Sequence, residues 1–238
     1  GSLTFEVQDL PAIIDVAKKH DLFVITDNTW ATPLFLNPIS MGADISVNAA
    51  TKYLGGHSDV MMGTATAGER AFQKLRRTAY QLGQTVSADD AFLVLRGLRT
   101  LGVRLKQHEE NALKVAAWLK DHPAVERVLH PAFEDCPGHE IWERDFGGST
   151  GLFSIALKAG AYEDTAHIVD GRKYFKMGFS WGGYESLILP SDPSSARSAT
   201  TWASDGPVIR LHIGLEDTDD LIADLEAGLS AYMTHLGL

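Results

Sequence analysis

The segment Leu22-Phe23-Val24-Ile25-Thr26 is a nearly unbroken apolar run that stops at Asp27-Asn28. An apolar stretch of this length without polar alternation predicts a strand covered on both faces, as in a parallel sheet. A helix leads into it. Asp9-Leu10-Pro11 marks a helix start, Ile13, Ile14, Val16 and Ala17 give it an apolar face, and Lys18, Lys19 and His20 place cations at its negative end. Helix, then strand, then a polar strand end is a unit of an open α/β sheet, and such sheets place ligands at the carboxyl ends of their strands. Ala43 to Val47 reads as a second strand leading into Ala49-Ala50-Thr51-Lys52-Tyr53. A glycine-bearing turn, Gly55-Gly56-His57-Ser58-Asp59, separates it from a third strand at Met61 to Ala67.

Helical spacing returns from Glu69 to Leu82. Ser87-Ala88-Asp89-Asp90 then supplies a cap and an acidic first turn for a helical pattern reaching about Asp121, interrupted only by Gly97 and Gly102. That length predicts a kinked helix connecting two domains, residues 1–98 and 99–238. Beyond His122-Pro123 the strand patterns are Val125 to Leu129, Gly151 to Leu157, Phe175 to Phe179, Leu187 to Leu189 and Val208 to Ile213, with helix near Tyr162 to Val169. Strands mixed with a few helices predict an α+β second domain. It closes with a helix that starts around Asp217 and buries Leu221, Ile222, Leu225 and Leu229. A formal charge of −10 has the wrong sign for phosphate backbones or anionic lipid. No apolar run is long enough for a membrane span and no signal-peptide pattern opens the chain, so the expected setting is the cytoplasm. The single cysteine, Cys136, fits a reducing compartment and sits in an acidic loop that disfavours a reactive thiolate.

Asp27 and Lys52 each lie at the end of a predicted strand in the same sheet. A bare acid and amine there are as consistent with an ion pair as with a site. A hydroxyl at Thr51 precedes the lysine, and the glycine turn after it leaves little bulk near the amine. That suits an amine bonded to a carbonyl cofactor. Pyridoxal phosphate requires an amine to bond its aldehyde, an acid facing its pyridine nitrogen and donors for its phosphate, which Lys52, Asp27 and Thr51 match. Other chemistries find less support. The histidines at 57, 108, 122, 130, 139, 167 and 212 show no HExxH or comparable spacing, so no metal is expected, and neither GxGxxG opening a helix nor GxxxxGK[ST] is present.

Asp27-Asn28-Thr29-Trp30, Ala50-Thr51-Lys52-Tyr53, Gly56-His57-Ser58-Asp59, Arg96-Gly97-Leu98-Arg99-Thr100-Leu101 and Ser180-Trp181-Gly182-Gly183-Tyr184-Glu185-Ser186-Leu187 together resemble the Cys/Met-metabolism family of pyridoxal-phosphate enzymes. The likeness runs through the whole chain in order. It implies a fold-type I, aspartate-aminotransferase-like α/β enzyme, here a partial large domain plus a complete α+β C-terminal domain. Homotetramers of catalytic dimers are the usual assembly. The resemblance makes Lys52 the catalytic lysine that carries the cofactor, Asp27 the pyridinium partner and Thr51 a phosphate ligand. Ala49 stands where relatives often have a serine that also serves the phosphate. Ser180 and Trp181 match the loop beside lysine and substrate, and Arg210 matches the arginine that grips the substrate carboxylate, a task for its planar fork. Trp181 in place of the leucine usual in γ-synthases and γ-lyases points to the β-lyase branch. That branch cleaves cystathionine by α,β-elimination to homocysteine, pyruvate and ammonia, with the lysine amine as the proton carrier, its pKa lowered by the site.

The same likeness implies that part of the site is missing. The helix N-terminus that cradles the phosphate, the aromatic ring over the pyridine, and a tyrosine and an arginine from the neighbouring subunit belong to an earlier half of the large domain. None precedes Asp27, and three strands make a narrow sheet on their own. Gly1-Ser2-Leu3, without a methionine, is therefore expected to continue from a missing N-terminal portion. Two other classes stay open: a fragment that only binds or assembles, and a His/Asp metal hydrolase.

Overall fold

The computed structural model describes residues 2–194, 197–204 and 206–238. Gly1, and with it the expectation about the chain's start, lies outside the described residues. Helix α1 (Leu10–Lys19) begins as its sequence predicts: Asp9 accepts a hydrogen bond from the Ala12 amide at 3.1 Å, Pro11 lies in the first turn, and Lys18 and Lys19 close the last.

The strand that follows differs from expectation. Strand β1 is only Ile25–Asp27. Helices α2 (Thr32–Phe35) and α3 (Pro38–Met41) precede β2 (Ile45–Ala49), and β3 (Gly63–Ala67) completes a three-stranded sheet in the order β1-β2-β3. β1 runs parallel to β2, whereas β3 runs antiparallel to it, so the sheet is mixed. Nor is the apolar run covered on both faces. Val24 is buried while Leu22, Phe23 and Ile25 are exposed, Ile25 by 63%. Among the described residues β1 is an end strand of the sheet, and upstream of it the chain is held by single contacts instead of a ladder. The Asp44 carboxylate accepts the Val24 amide at 2.8 Å, and Arg70 lies over the Phe23 ring and donates to the Leu22 carbonyl.

Helix α4 (Glu69–Gln81) follows, then α5 (Ala88–Leu98), capped by Ser87, and α6 (Leu101–Lys120). The long helical pattern is thus two helices broken at Arg99-Thr100. Gly97, just before the break, permits a close approach, since a Cβ there would run into the Leu54 and Gly55 carbonyls, whereas one at Gly102 would meet nothing within 4 Å. Arg104 staples the junction. Its guanidinium donates to the Tyr53 and Gly97 carbonyls, both at 2.9 Å, and to the Thr100 hydroxyl at 3.1 Å.

The remaining chain builds β4 (Val125–Leu129), α7 (His139–Asp145), β5 (Leu152–Leu157), a 3₁₀ turn (Glu163–Thr165) running into α8 (Ala166–Val169), β6 (Lys176–Met177), β7 (Leu187–Ser191), β8 (Val208–His212) and α9 (Thr218–Leu236). The five strands take the order β4-β5-β8-β7-β6, antiparallel apart from the β6–β7 pair. Every residue of β5 and β8 is buried. The largest core forms where this sheet meets α6, α8 and α9, around Leu119, Phe153, Ile209, Leu225 and Tyr232. Asp217 caps α9 by accepting from the Asp219 and Asp220 amides. The first sheet touches this half through Trp30, whose indole donates to the Leu152 carbonyl at 2.9 Å. No helix among the described residues is long and apolar enough to cross a membrane.

Candidate active site

Parallel pairing of β1 with β2 sets their carboxyl ends side by side, Asp27 opposite Val47. β2 ends at Ala49, and a tight turn follows in which the Lys52 amide donates to the Ala49 carbonyl, Gly55 to Ala50 and Gly56 to Lys52. This turn delivers the lysine beside the acid, as the sequence predicts. Both line a cleft of about 500 Å³, together with Phe5, Asn28, Thr29, Trp30, Ala49 and Trp181. That volume is within the range of about 300–1,000 Å³ usual for small-molecule sites.

Asp27 and Lys52 do not pair with each other: among the described residues neither belongs to an Asp27–Lys52 salt bridge. The acid is held instead by Thr29. Oδ1 of Asp27 accepts the Thr29 amide at 2.9 Å and its hydroxyl at 2.5 Å, and the Thr29 oxygen in turn accepts the Ala49 amide at 2.9 Å. One side chain thereby ties the acid to the segment that leads into the lysine. Thr29 was within the Asp27-Asn28-Thr29-Trp30 motif, but its role was not foreseen; an aspartate two residues before a threonine is the pattern that favours such local side-chain to backbone bonds.

Lys52 reaches the second half of the molecule. Its Nζ bonds the Ser180 hydroxyl at 2.9 Å and lies 5.2 Å from the centre of the Trp181 ring. Burial lowers the pKa of this amine, and the positive charge of Arg210 lowers it further. Arg210 itself is buried on β8, donates to the Phe179 carbonyl at 2.6 Å and has its own pKa lowered by burial. Ser180, Trp181 and Arg210, predicted from separate stretches, therefore converge on Lys52.

Thr51 does not join this group. Its hydroxyl accepts the Met62 amide at 3.0 Å and bonds the Met62 carbonyl at 3.3 Å, and it does not line the cleft. Ala49 does line it but brings no hydroxyl. Cys136 is buried and its thiol pKa is pushed up to about 12 by burial and by the charge of Glu6, in line with an unreactive thiol. No cluster of three metal-ligating side chains occurs among the described residues.

The cleft fits the reactive end of pyridoxal phosphate. An amine with weakened basicity and an acid free of a lysine partner flank it, and the buried Oδ1 of the cleft residue Asn28 has no partner. The phosphate end finds no side-chain hydroxyl from Ala49 or Thr51.

Comparison with known proteins agrees with this geometry. Residues 1–230 match the Cys/Met metabolism PLP-dependent enzyme family. The chain is 51% identical over 236 residues to cystathionine beta-lyase MetC of Escherichia coli K12, covering 97% of this chain and 60% of that protein. It is 44% identical to the L-alanine/L-glutamate racemase of Wolbachia pipientis wMel, covering 97% of this chain and 58% of that protein. The solved structure of cystathionine gamma synthase from Xanthomonas oryzae pv. oryzae superposes with a TM-score of 0.90 at 38% identity, over 98% of this chain and 62% of that one. The chain thus spans about 60% of the length of the curated relatives it matches. The family match over nearly its full length, the superposition and the lysine-centred cleft lead to one conclusion: this chain belongs to the Cys/Met-metabolism family of pyridoxal-phosphate-dependent enzymes and has the α/β fold of a fold-type I enzyme.

Proposed function

We propose that this chain is the lysine-bearing portion of a cystathionine β-lyase, a carbon–sulfur lyase that releases homocysteine, pyruvate and ammonia from cystathionine. The observation that carries the reading is the Lys52 amine, less basic than an ordinary lysine, bonded to Ser180 and covered by Trp181 at the edge of a cleft that also holds Asp27. The 51% identity to a β-lyase supports the branch. In this reading residues 1–98 belong to the cofactor-binding domain and 99–238 to the smaller one, and the working assembly is a cytoplasmic tetramer of catalytic dimers that includes an N-terminal portion.

When bound, pyridoxal phosphate supplies an electron sink for the carbanion formed at the substrate α-carbon. The chain supplies the rest. Lys52 Nζ holds the cofactor and, once released, takes the α-proton and hands a proton to the departing sulfur. Ser180 orients that amine through its 2.9 Å bond. Trp181 excludes water above it, and Arg210 binds the substrate carboxylate through its fork. Asp27, locked by Thr29, keeps its carboxylate where a protonated ring nitrogen needs an anion. Thr51 stays assigned to the phosphate in this reading, which requires its hydroxyl to leave Met62.

A γ-lyase or γ-synthase is the second reading, favoured by the superposition on a γ-synthase. Incubation with pyridoxal phosphate and cystathionine, with and without the N-terminal portion, separates the two. This chain alone is expected to be inactive; with that portion, pyruvate with homocysteine is expected, α-ketobutyrate would move the assignment to the γ branch, and no keto acid would leave an assembly-only fragment.

A further inference from the structure

His212 is an expensive residue for its place. It ends the wholly buried strand β8, is 1% exposed, and its Nδ1 has no hydrogen-bond partner among the described residues. A leucine would fill the same space without that loss. Its other nitrogen is engaged: Nε2 lies 3.1 Å from the Gly182 amide, which donates to it, and 3.0 Å from the Gly183 carbonyl. One neutral tautomer accepts from Gly182 and the other donates to Gly183, so either ties the strand to the turn.

That turn rests directly on the lysine. Gly182 has a φ of +84°, and a Cβ there would come within 2.9 Å of Lys52 Cα and 2.8 Å of the Tyr53 nitrogen. Immediately before it are Ser180, bonded to the Lys52 amine, and Trp181, packed beside it. Tyr53 completes the contact, with its ring centre 5.6 Å from that of Trp181 and 5.9 Å from that of His212. Behind His212 the strand end is clamped by His108, whose Nδ1 bonds the Ile213 carbonyl at 2.8 Å and whose ring lies 5.3 Å from that of His212.

We propose that His212 is a positioning residue that fixes the Gly182–Gly183 turn through Nε2 and so sets Ser180 and Trp181 against the Lys52 amine. It rests on the reading of Lys52 as the reactive amine. Burial, the neighbouring His108, Arg210 and Lys52 favour the neutral imidazole that this task needs.

The test reads Lys52 without any cofactor. Competitive acylation of the whole chain with acetic anhydride across pH, mapped to Lys52, gives the amine's own titration. In wild type it should lie below the ordinary lysine value of about 10.4. His212→Leu, which keeps the volume but not the bond, should return it toward that value and speed exchange of the Gly182 amide by about tenfold. His212→Gln, which can offer both a donor and an acceptor at the Nε2 distance, should restore both. A His212→Leu chain that matches wild type in both measurements overturns the proposal, as does His212→Gln behaving like His212→Leu. Should His212→Leu fail to fold by circular dichroism, the wild type decides: scalar coupling from His212 Nε2 to the Gly182 amide or the Gly183 carbonyl is expected, and coupling to neither overturns it. Loss of the lyase reading alone would show as no keto acid from cystathionine when the N-terminal portion is supplied, with these titration and exchange results unchanged.

Discussion

Lys52 bears a charge that its surroundings resist, since both its partial burial and the nearby Arg210 favour the free amine. A free amine is the nucleophile that attacks an aldehyde. Mixing the protein with pyridoxal phosphate and reducing with borohydride should therefore add a single stable adduct that peptide mapping locates at Lys52. Lys52→Ala should lose it while keeping the circular dichroism of the parent; an adduct retained elsewhere at equal yield would contradict the assignment. His130 makes a different kind of prediction. It is fully buried, and burial brings its pKa down to about 4. An unfolded histidine protonates near 6.5, so between about pH 4 and 6.5 the unfolded chain binds the extra proton. Stability is then complete above that window and declines on acidification, in the same direction for His108, lowered to about 4, and His212, lowered to about 3. Urea midpoints measured from pH 7 to pH 4.5 should fall, and His130→Phe should make the decline shallower by ~1.4 kcal/mol per pH unit within the window. At this scale Asp27 and Lys52 were legible as a pair because their chemistry is carried by residue type at strand ends, whereas Arg210, in the middle of β8, was singled out only through the family resemblance. Thr51 was less legible: a hydroxyl in sequence does not say whether it faces a ligand or, as here, the Met62 backbone.

Two glycines in one helical pattern behave in opposite ways among the elements. Gly97 lets the end of α5 lie against the Leu54 and Gly55 carbonyls, and Arg104 then reaches from α6 to the Tyr53 carbonyl next to the lysine. A Cβ at Gly102 would meet nothing within 4 Å. Gly97→Ala should cost ~1–3 kcal/mol through overpacking, while Gly102→Ala should be stabilising by ~0.5–1 kcal/mol from helix propensity; chemical denaturation of both variants checks the contrast. Equal effects would mean that the close approach to Gly55 does not set the junction. The sequence pattern gave α1, α4, β4 and α9 nearly to their ends because caps and apolar spacing are local signals. It could not distinguish two glycines whose difference lies in a loop some 40 residues upstream, nor foresee the short helices α2, α3 and α7, which lack room for an apolar repeat.

Across the whole molecule, burial is uneven. The five-stranded half carries the large core around Phe153, Leu225 and Tyr232, whereas the three-stranded half is held by two small clusters around Tyr53 and around Ile14. Leu22, Phe23 and Ile25 stay exposed along its edge. Regions with few buried contacts open first, so amide exchange followed by mass spectrometry should be faster across β1, β2 and β3 than across β5 and β8. Uniform protection would show that the two sheets unfold as one unit. The apolar run at Leu22 announced a strand but not its edge position, because coverage depends on neighbours that no local pattern encodes. The turn over Lys52 carries a further consequence for anyone redesigning the cleft. A Cβ at Gly182 meets the Lys52 backbone, and one at Gly183 meets the Ser58 hydroxyl and the Glu185 carboxylate. The two positions after the tryptophan are thereby constrained, Gly182 by backbone and Gly183 by side-chain ends that can move. A saturation library over positions 181–183 should therefore return folded variants most often at 181, less often at 183 and least often at 182.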